Sequence, residues 1–284
     1  MRPFPAVTPV CAALLSVFSA AAQAGTFPIW GEEAQARGYE LPRTYGLTLS
    51  AMDIDQPLVI DEIRLTDPNM ILDQLVAVEA DKADQESQTY TLRADMWVFP
   101  FLNLYGLVGY TEGTSEAMVV PFVAGNPVTA EPVLFPLDFN GTTYGGGLTL
   151  AYGIGNWWAA IDINYTFTDL NIIDGEIEAF TSSPRLGYRW PMGVHEYRLW
   201  AGAMYQDVDQ VFRGQLASLG LGGGLGELLQ GIAPDGRFEV RQHLVSPWNT
   251  LVGAMYVYDR RWEFILEGGF GDRDSIFFST GYRF

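Results

Sequence analysis

The chain has 284 residues with 34 acidic and 16 basic side chains, for a formal net charge of −18. That charge argues against nucleic acid as a partner, since phosphates need a dense set of Lys and Arg, and Lys82 is the only lysine. Aromatics reach 14% and glycines number 31, yet mean hydropathy is only +0.07, and past the first residues no apolar run approaches the ~20 residues of a helical span. Such a composition suits strands that place every second residue against lipid and the others against a polar interior.

The chain opens with a segment that reads as targeting rather than fold. Arg2 precedes an apolar run at residues 6–22 (AVTPVCAALLSVFSAAA), and Ala22-Gln23-Ala24 is a small-x-small cleavage pattern. Residues 1–24 are therefore expected to be a cleaved signal peptide. Cys11, the only cysteine, lies inside it, so a mature chain has no disulfide, thiolate metal site or cysteine nucleophile. Residues 25–42 read as a short leading segment, and 43–284 as one strand-rich domain.

Ten strands follow in order. Residues 44–53 alternate imperfectly. Residues 89–99 set Tyr90, Leu92, Ala94, Met96 and Val98 against Arg93 and Asp95, and 102–112 follow after Pro100-Phe101. Residues 143–153 set Tyr144, Leu148, Leu150 and Tyr152 against Gly and Thr. Residues 157–168 set Trp157, Ile161, Ile163, Tyr165 and Phe167 against Asp162, Asn164 and Thr166. Residues 177–190 carry a blemish at Pro184, which removes a ladder donor. Residues 195–207 set Tyr197, Leu199 and Tyr205 against Glu196, Arg198 and Trp200. After 246–257, residues 261–270 set Trp262, Phe264, Leu266 and Phe270 against Glu263 and Glu267. The last strand, SIFFSTGYRF, aligns Ile276, Phe278, Thr280, Tyr282 and Phe284 on one face, and the chain stops on that aromatic.

This ending resembles that of Gram-negative outer-membrane β-barrel proteins, which close on an aromatic preceded by apolar residues at alternate positions. The resemblance implies that Phe278, Thr280, Tyr282 and Phe284 form the signal read by the barrel-assembly machinery. The fold expected is all-β: a transmembrane up-and-down antiparallel barrel of about ten strands. Connections support it. Those at 100–101, 154–156, 191–194 and 258–260 are tiny, while 54–88, 113–142, 169–176 and 208–245 read as long loops. Short periplasmic turns and long extracellular loops then place both termini in the periplasm of a Gram-negative bacterium, with 25–42 a periplasmic segment. Tyr152, Trp157, Trp190, Tyr258 and Trp262, joined by Phe284, collect at the periplasmic end as an aromatic girdle. Residues 58–65 and 70–80 flank a turn, Thr66-Asp67-Pro68-Asn69. They read as extramembrane strands; twelve strands result if that hairpin enters the membrane, and a helix at 70–78 is a third reading. Residues 215–230 look like a short amphipathic segment weakened by glycine.

The inward positions carry five basic and five acidic residues: Arg93, Arg185, Arg189, Arg198 and Arg283 with Asp95, Asp162, Glu196, Glu263 and Glu267. In so narrow a barrel unpaired charge is costly, so a paired lumen network is expected, with Arg favoured for its planar fork. Catalysis has little support. His195 and His243 fall at opposite ends, and a pair of His243 with Ser246 shows no orienting acid. The carboxylates Asp53, Asp55, Asp61 and Glu62, and Asp81, Asp84 and Glu86, lack calcium-loop spacing and read as solvated faces. No cofactor or metal is expected. Gly145-Gly146-Gly147 and Gly222-Gly223-Gly224 are not phosphate loops; the first is expected to make room for Trp158 or Trp200. The expected function is a structural or surface barrel with at most a narrow channel, touching outer-membrane lipid and lipopolysaccharide. The alternatives are a small-solute porin and an outer-membrane hydrolase.

Overall fold

The computed structural model describes residues 27–68, 76–80, 82–123, 125–127, 131–171, 174–216 and 234–284. The expected signal peptide with Cys11, Asp81, Gly222–Gly224, residues 70–75 of the 70–78 segment and residues 217–230 of the 215–230 segment lie outside these residues. A short helix, α1 (Gly31–Ala36), precedes thirteen strands. They are β1 (Tyr45–Thr66), β2 (Val76–Glu79), β3 (Lys82–Phe99), β4 (Leu102–Val123), β5 (Asn126–Pro127), β6 (Val133–Ile154) and β7 (Trp157–Leu170). Then come β8 (Asp174–Met192), β9 (His195–Gln215), β10 (Arg237–Leu244), β11 (Trp248–Tyr258), β12 (Trp262–Gly271) and β13 (Asp274–Arg283).

Ten strands close a ring in the order β1, β3, β4, β6, β7, β8, β9, β11, β12, β13, every pair antiparallel. The seam joins first strand to last, from Gly46 opposite Arg283 to Asp55 opposite Asp274. Backbone bonds between Tyr45 and Phe284 finish it at 3.2 and 3.0 Å. Closure leaves no unpaired edge around the membrane band, the condition for strands to cross lipid. At the end where the seam closes, which we call the terminal end, the four connections are the tight turns read from sequence. That between β11 and β12 bends through Asp259 and Arg260, both at positive φ, the geometry of a tight hairpin. At Pro184 the β8–β9 ladder runs from Asp174 to Ser182 and resumes only at Arg185, as a missing N–H requires.

The long loops are a correction. Most of 54–88 and 113–142 continues the strands, and 208–215 and 237–244 are strand too: β1, β4 and β6 each have 22 residues, about twice the 9–11 needed to cross a bilayer. Of 58–65 and 70–80, read as extramembrane strands, 58–65 lie in β1 and Val76–Glu79 is a short strand on β4, so the alternative helix at 70–78 fails at its described end. The barrel therefore projects well beyond its membrane band at the other, distal end. β3 shows the change of surroundings on one strand. Tyr90, Leu92, Ala94 and Met96 face outward while Thr89, Thr91, Arg93 and Asp95 face the lumen. Further on, the outward face becomes Asp84 and Glu86, exposed, and the inward residues are Ala83 and Gln85, buried. Lipid outside demands polar inside only within the bilayer; in water the arrangement reverts to an ordinary apolar core.

The projection is also narrower. β11, β12 and β13 are only 10 or 11 residues long, and beyond them β10 steps in between β9 and β1. The distal ring is thus eight-stranded, narrow enough for side chains to fill. They do: Leu58, Val119, Phe135, Phe139, Phe212 and Phe238 are among its buried apolar residues. Phe139 packs on Phe212 at 5.3 Å between ring centroids, and Phe135 on Phe238 edge-on at 6.1 Å. We call this part the cap.

Candidate functional site: a blind lumen

Beneath the cap lies a cavity of about 1850 Å³. All ten charged residues read as inward line it. β8 sends Arg185 across to β12, where Nε and Nη2 each donate to Glu267 at 2.7 Å, and Trp200 Nε1 donates to the same carboxylate at 2.6 Å. Two strands, β9 and β11, separate β8 from β12 in the ring, so the pair spans the lumen. Asp95 accepts from Arg283 at 3.0 Å and from Asn103 at 2.6 Å, and Arg283 also donates to Glu263 at 2.9 Å. Arg93 lies 3.7 Å from Asp162 and stacks on the Tyr105 ring, whose hydroxyl donates to Asp162 at 2.7 Å. Glu196 takes Arg198 and, at 3.7 Å, Arg189. Each charge thus meets an opposite one, and the paired geometry replaces the hydration that burial removes.

Hydroxyls form a second layer. Ser50 meets Thr91 at 2.5 Å, and Thr89, Thr111, Thr143 and Thr168 bond in sequence across four strands at 3.0, 2.7 and 2.8 Å. Glycines make room for the large lumen side chains. A Cβ on Gly253 would stand 2.3 Å from the Trp200 indole, one on Gly187 2.6 Å from Trp158, and one on Gly147 2.6 Å from the Tyr105 hydroxyl. The triple glycine therefore accommodates Tyr105 rather than Trp158 or Trp200.

The cavity opens toward the terminal end, where residues of the leading segment, Trp30, Arg37, Tyr39 and Glu40, line its mouth. The segment is fastened there. Ile29 N–H donates to the Val98 carbonyl at 2.8 Å, Trp30 lies 5.0 Å from the Phe99 ring, and Glu40 meets Arg260 at 2.9 Å and Arg189 at 3.7 Å. At the distal rim, where ten strands become eight, Arg273 in the β12–β13 turn is 1% exposed. It donates to Gln206 at 2.8 Å and the Pro247 carbonyl at 3.4 Å. Burial pushes its pKa down to about 10, which still leaves it charged at neutral pH.

Tyr152, Trp157, Trp190, Tyr258, Trp262 and Phe284 are exposed, all near the terminal end. Phe278 is exposed on the same outward face, with Thr280 and Tyr282 half-buried beside it. The sequence pattern missed a second belt: Tyr90, Tyr110, Tyr144, Tyr165, Phe180 and Trp248 face outward just before the charged distal surface. Tyr90 donates to Gln88 at 3.1 Å, and Tyr165 to Glu178. The signal was available for five of the six: Tyr110 and Tyr165 are followed at the same parity by Glu112 and Asp169, and Tyr90, Tyr144 and Phe180 are preceded at the same parity by Gln88, Asn140 and Glu178. The histidines are far apart. His195 Nδ1 is 2.8 Å from the Tyr256 hydroxyl, and His243 Nδ1 is 2.9 Å from Asp61 Oδ2. Asp61 is thus an orienting acid that the sequence did not show. Ser246 is turned to the Trp248 carbonyl at 3.5 Å.

No family model and no curated protein sequence matches the chain. Among solved structures it is similar to the outer membrane protein OprG from Pseudomonas aeruginosa, at 11% identity and TM-score 0.38, covering 86% of this chain and 98% of that one. The transport unit of the autotransporter AIDA-I from Escherichia coli gives 9% identity and 0.39, covering 85% and 90%. The Ralstonia pickettii toluene transporter TbuX gives 9% and 0.34, covering 87% and 90%. At such values the assignment rests on this chain's own closed ladder and apolar outward band: it is a transmembrane, up-and-down antiparallel β-barrel.

Proposed function

We propose that the protein is a non-enzymatic outer-membrane barrel of a Gram-negative bacterium, structural or surface-exposed, whose lumen is at most a narrow channel. The apolar cap carries this reading. A porin needs a wetted path from end to end, and here the eight-stranded distal ring is filled by side chains such as Phe212 and Leu58, both 0% exposed. Both termini lie on the periplasmic side, and the acidic projection faces outward among lipopolysaccharide, as the short turns at one end support. The barrel-assembly machinery reads the strand ending at Phe284. Planar-bilayer recording of the full chain tests the lumen: no stable channel is expected, and reproducible single-channel steps favour the small-solute porin instead. Phospholipid, lipid A and peptide hydrolysis assays test catalysis. An activity lost in His243→Ala would restore the hydrolase reading, with Asp61 orienting the histidine. Heat-modifiable migration of the outer-membrane fraction tests location.

A further inference from the structure

Among the paired lumen charges one arginine is poorly served. Arg189 and Arg198 stand directly opposite each other on β8 and β9, and like charges so placed repel. They share one lumen carboxylate, Glu196, which Arg198 holds through Nε. Arg189 reaches Glu196 only at 3.7 Å, and its other anion, Glu40, also at 3.7 Å, both beyond hydrogen-bond range. Arg260, in the β11–β12 turn, takes the same Glu40 at 2.9 Å. Three guanidinium groups thus divide two carboxylates at the mouth, and one of those two belongs to the leading segment rather than to the barrel. None of the three is sealed off. The side chains of Arg189, Arg198 and Arg260 are 26%, 32% and 62% exposed, and all line the cavity.

An apolar wall starts at the same level, which is an independent observation. Arg198 is the register partner of Met255 on β11, and Met255 is that of Ile265 on β12. One inward position deeper, Phe277 on β13 faces Met52 on β1. These four side chains are half-buried and line the cavity from neighbouring strands. Ile265 stands between the lipid-facing Phe264 and Leu266, so that stretch is apolar on both faces, against the polar interior that a barrel in lipid needs. Methionine adapts its shape to an apolar guest, and two of the four are methionine.

We propose that the lumen binds a single-chain amphiphile with an anionic head, a carboxylate or a phosphate monoester. The head docks on Arg189 and Arg260 in place of the Glu40 carboxylate, and the chain runs inward along Met255, Ile265, Phe277 and Met52. Either oxyanion matches the planar guanidinium fork through two bonds at once. Glu40 is thereby an internal stand-in for the head, which the guest displaces as it enters at the terminal end. The proposal rests on the closed-lumen reading, because the cap is what ends the path of the chain.

The test uses the full chain in nanodiscs of saturated phosphatidylcholine, with 8-bromooctanoate at pH 8 as a quencher of Trp158 and Trp200, which line the cavity. Saturable quenching is expected over the linear background that the lipid-facing tryptophans report. Affinity should fall at least tenfold in Arg189→Gln and rise at least threefold in Glu40→Gln, which removes the internal competitor. A contact that only fastened the leading segment would not tighten binding when broken. For the wild type, 8-bromooctan-1-ol and (8-bromooctyl)trimethylammonium should bind at least tenfold more weakly. Octyl phosphate should displace the probe, and inorganic phosphate should not. The Glu40 variant and the ligand comparisons keep the test open where Arg189→Gln misfolds. Linear quenching alone, equal affinity for the alcohol or the ammonium, displacement by inorganic phosphate, unchanged affinity in folded Arg189→Gln, or no tightening in Glu40→Gln overturns the proposal. Stable conductance in bilayers overturns the closed-lumen reading itself; failed binding without conductance overturns only this proposal.

Discussion

Phe212→Ala probes the cap where it is densest. The ring is fully buried, touches Phe139 at 5.3 Å, and stands on β9 at the level where β10 replaces β11 as its neighbour. Truncating a buried Phe costs about 3–5 kcal/mol, transfer and cavity terms together. The narrow ring cannot collapse freely around the void, which favours the upper part of that range. If the cap opens as a local unit, the loss converts to amide exchange faster by roughly two to three and a half orders of magnitude, at about 1.4 kcal/mol per decade. Hydrogen exchange of the wild type and variant in nanodiscs reads this directly. The amides of β10 and of β9 beyond Asp209 should accelerate, while those of β12, within the lipid band, should not. Bilayer recordings of the variant should show brief openings absent from the wild type. Acceleration below tenfold in the cap, or equal acceleration in β12, would refute a separately packed plug.

The membrane boundary has its own test. Leu266→Arg, on the outward face of β12, should cost about 2–4 kcal/mol by denaturant titration in vesicles. Glu116→Arg, outward on β4 in the projection, should cost under about 1 kcal/mol, and equal costs would place the boundary wrongly. In the lumen, Asp95→Ala strips Arg283 of one of two carboxylates at a site 1% exposed. We expect a loss of about 3 kcal/mol, the low end for a broken buried pair because Glu263 remains; a loss below about 1 kcal/mol would mean the pair is hydrated. Outside the membrane, hydrogen bonds from Arg213 and Arg241 hold Glu239 below the usual carboxylate range. Its folded pKa is depressed, so its stabilisation is complete above the unfolded value of about 4.3 and fades as pH falls through the lower folded one. Cap exchange should quicken below that pH, and Glu239→Gln should flatten the dependence.

Much of the barrel was legible because its cause is local. Alternation has a period of two, and the clearest strands in the lipid band show it without help from their neighbours: Trp262, Phe264 and Leu266 against Glu263 and Glu267 need only one sheet with oil on one side. The tight turns at 155–156 and 193–194 carry glycines at positive φ, a requirement of the backbone alone. The ten lumen charges could be read off by parity, though not who faces whom. Arg185 and Glu267 are 82 residues apart, and their meeting depends on how many strands separate them around the ring.

The distal half was misread for a physical reason. Alternation there is reversed in sense, acidic outward and apolar inward, so segments such as 113–119 and 133–139 lost the lipid signature and passed for loops. No residue of β10 announces that it belongs between β9 and β1; that is settled by β11–β13 stopping short, which leaves two edges that only another strand can satisfy. By itself the amino-acid order determined the class, the parity of the clearest membrane strands and the candidates for the lumen. Tertiary closure alone decided that ten strands narrow to eight, that side chains fill the narrow part, and that the space beneath it is blind, because ring number sets interior width and no local pattern encodes it.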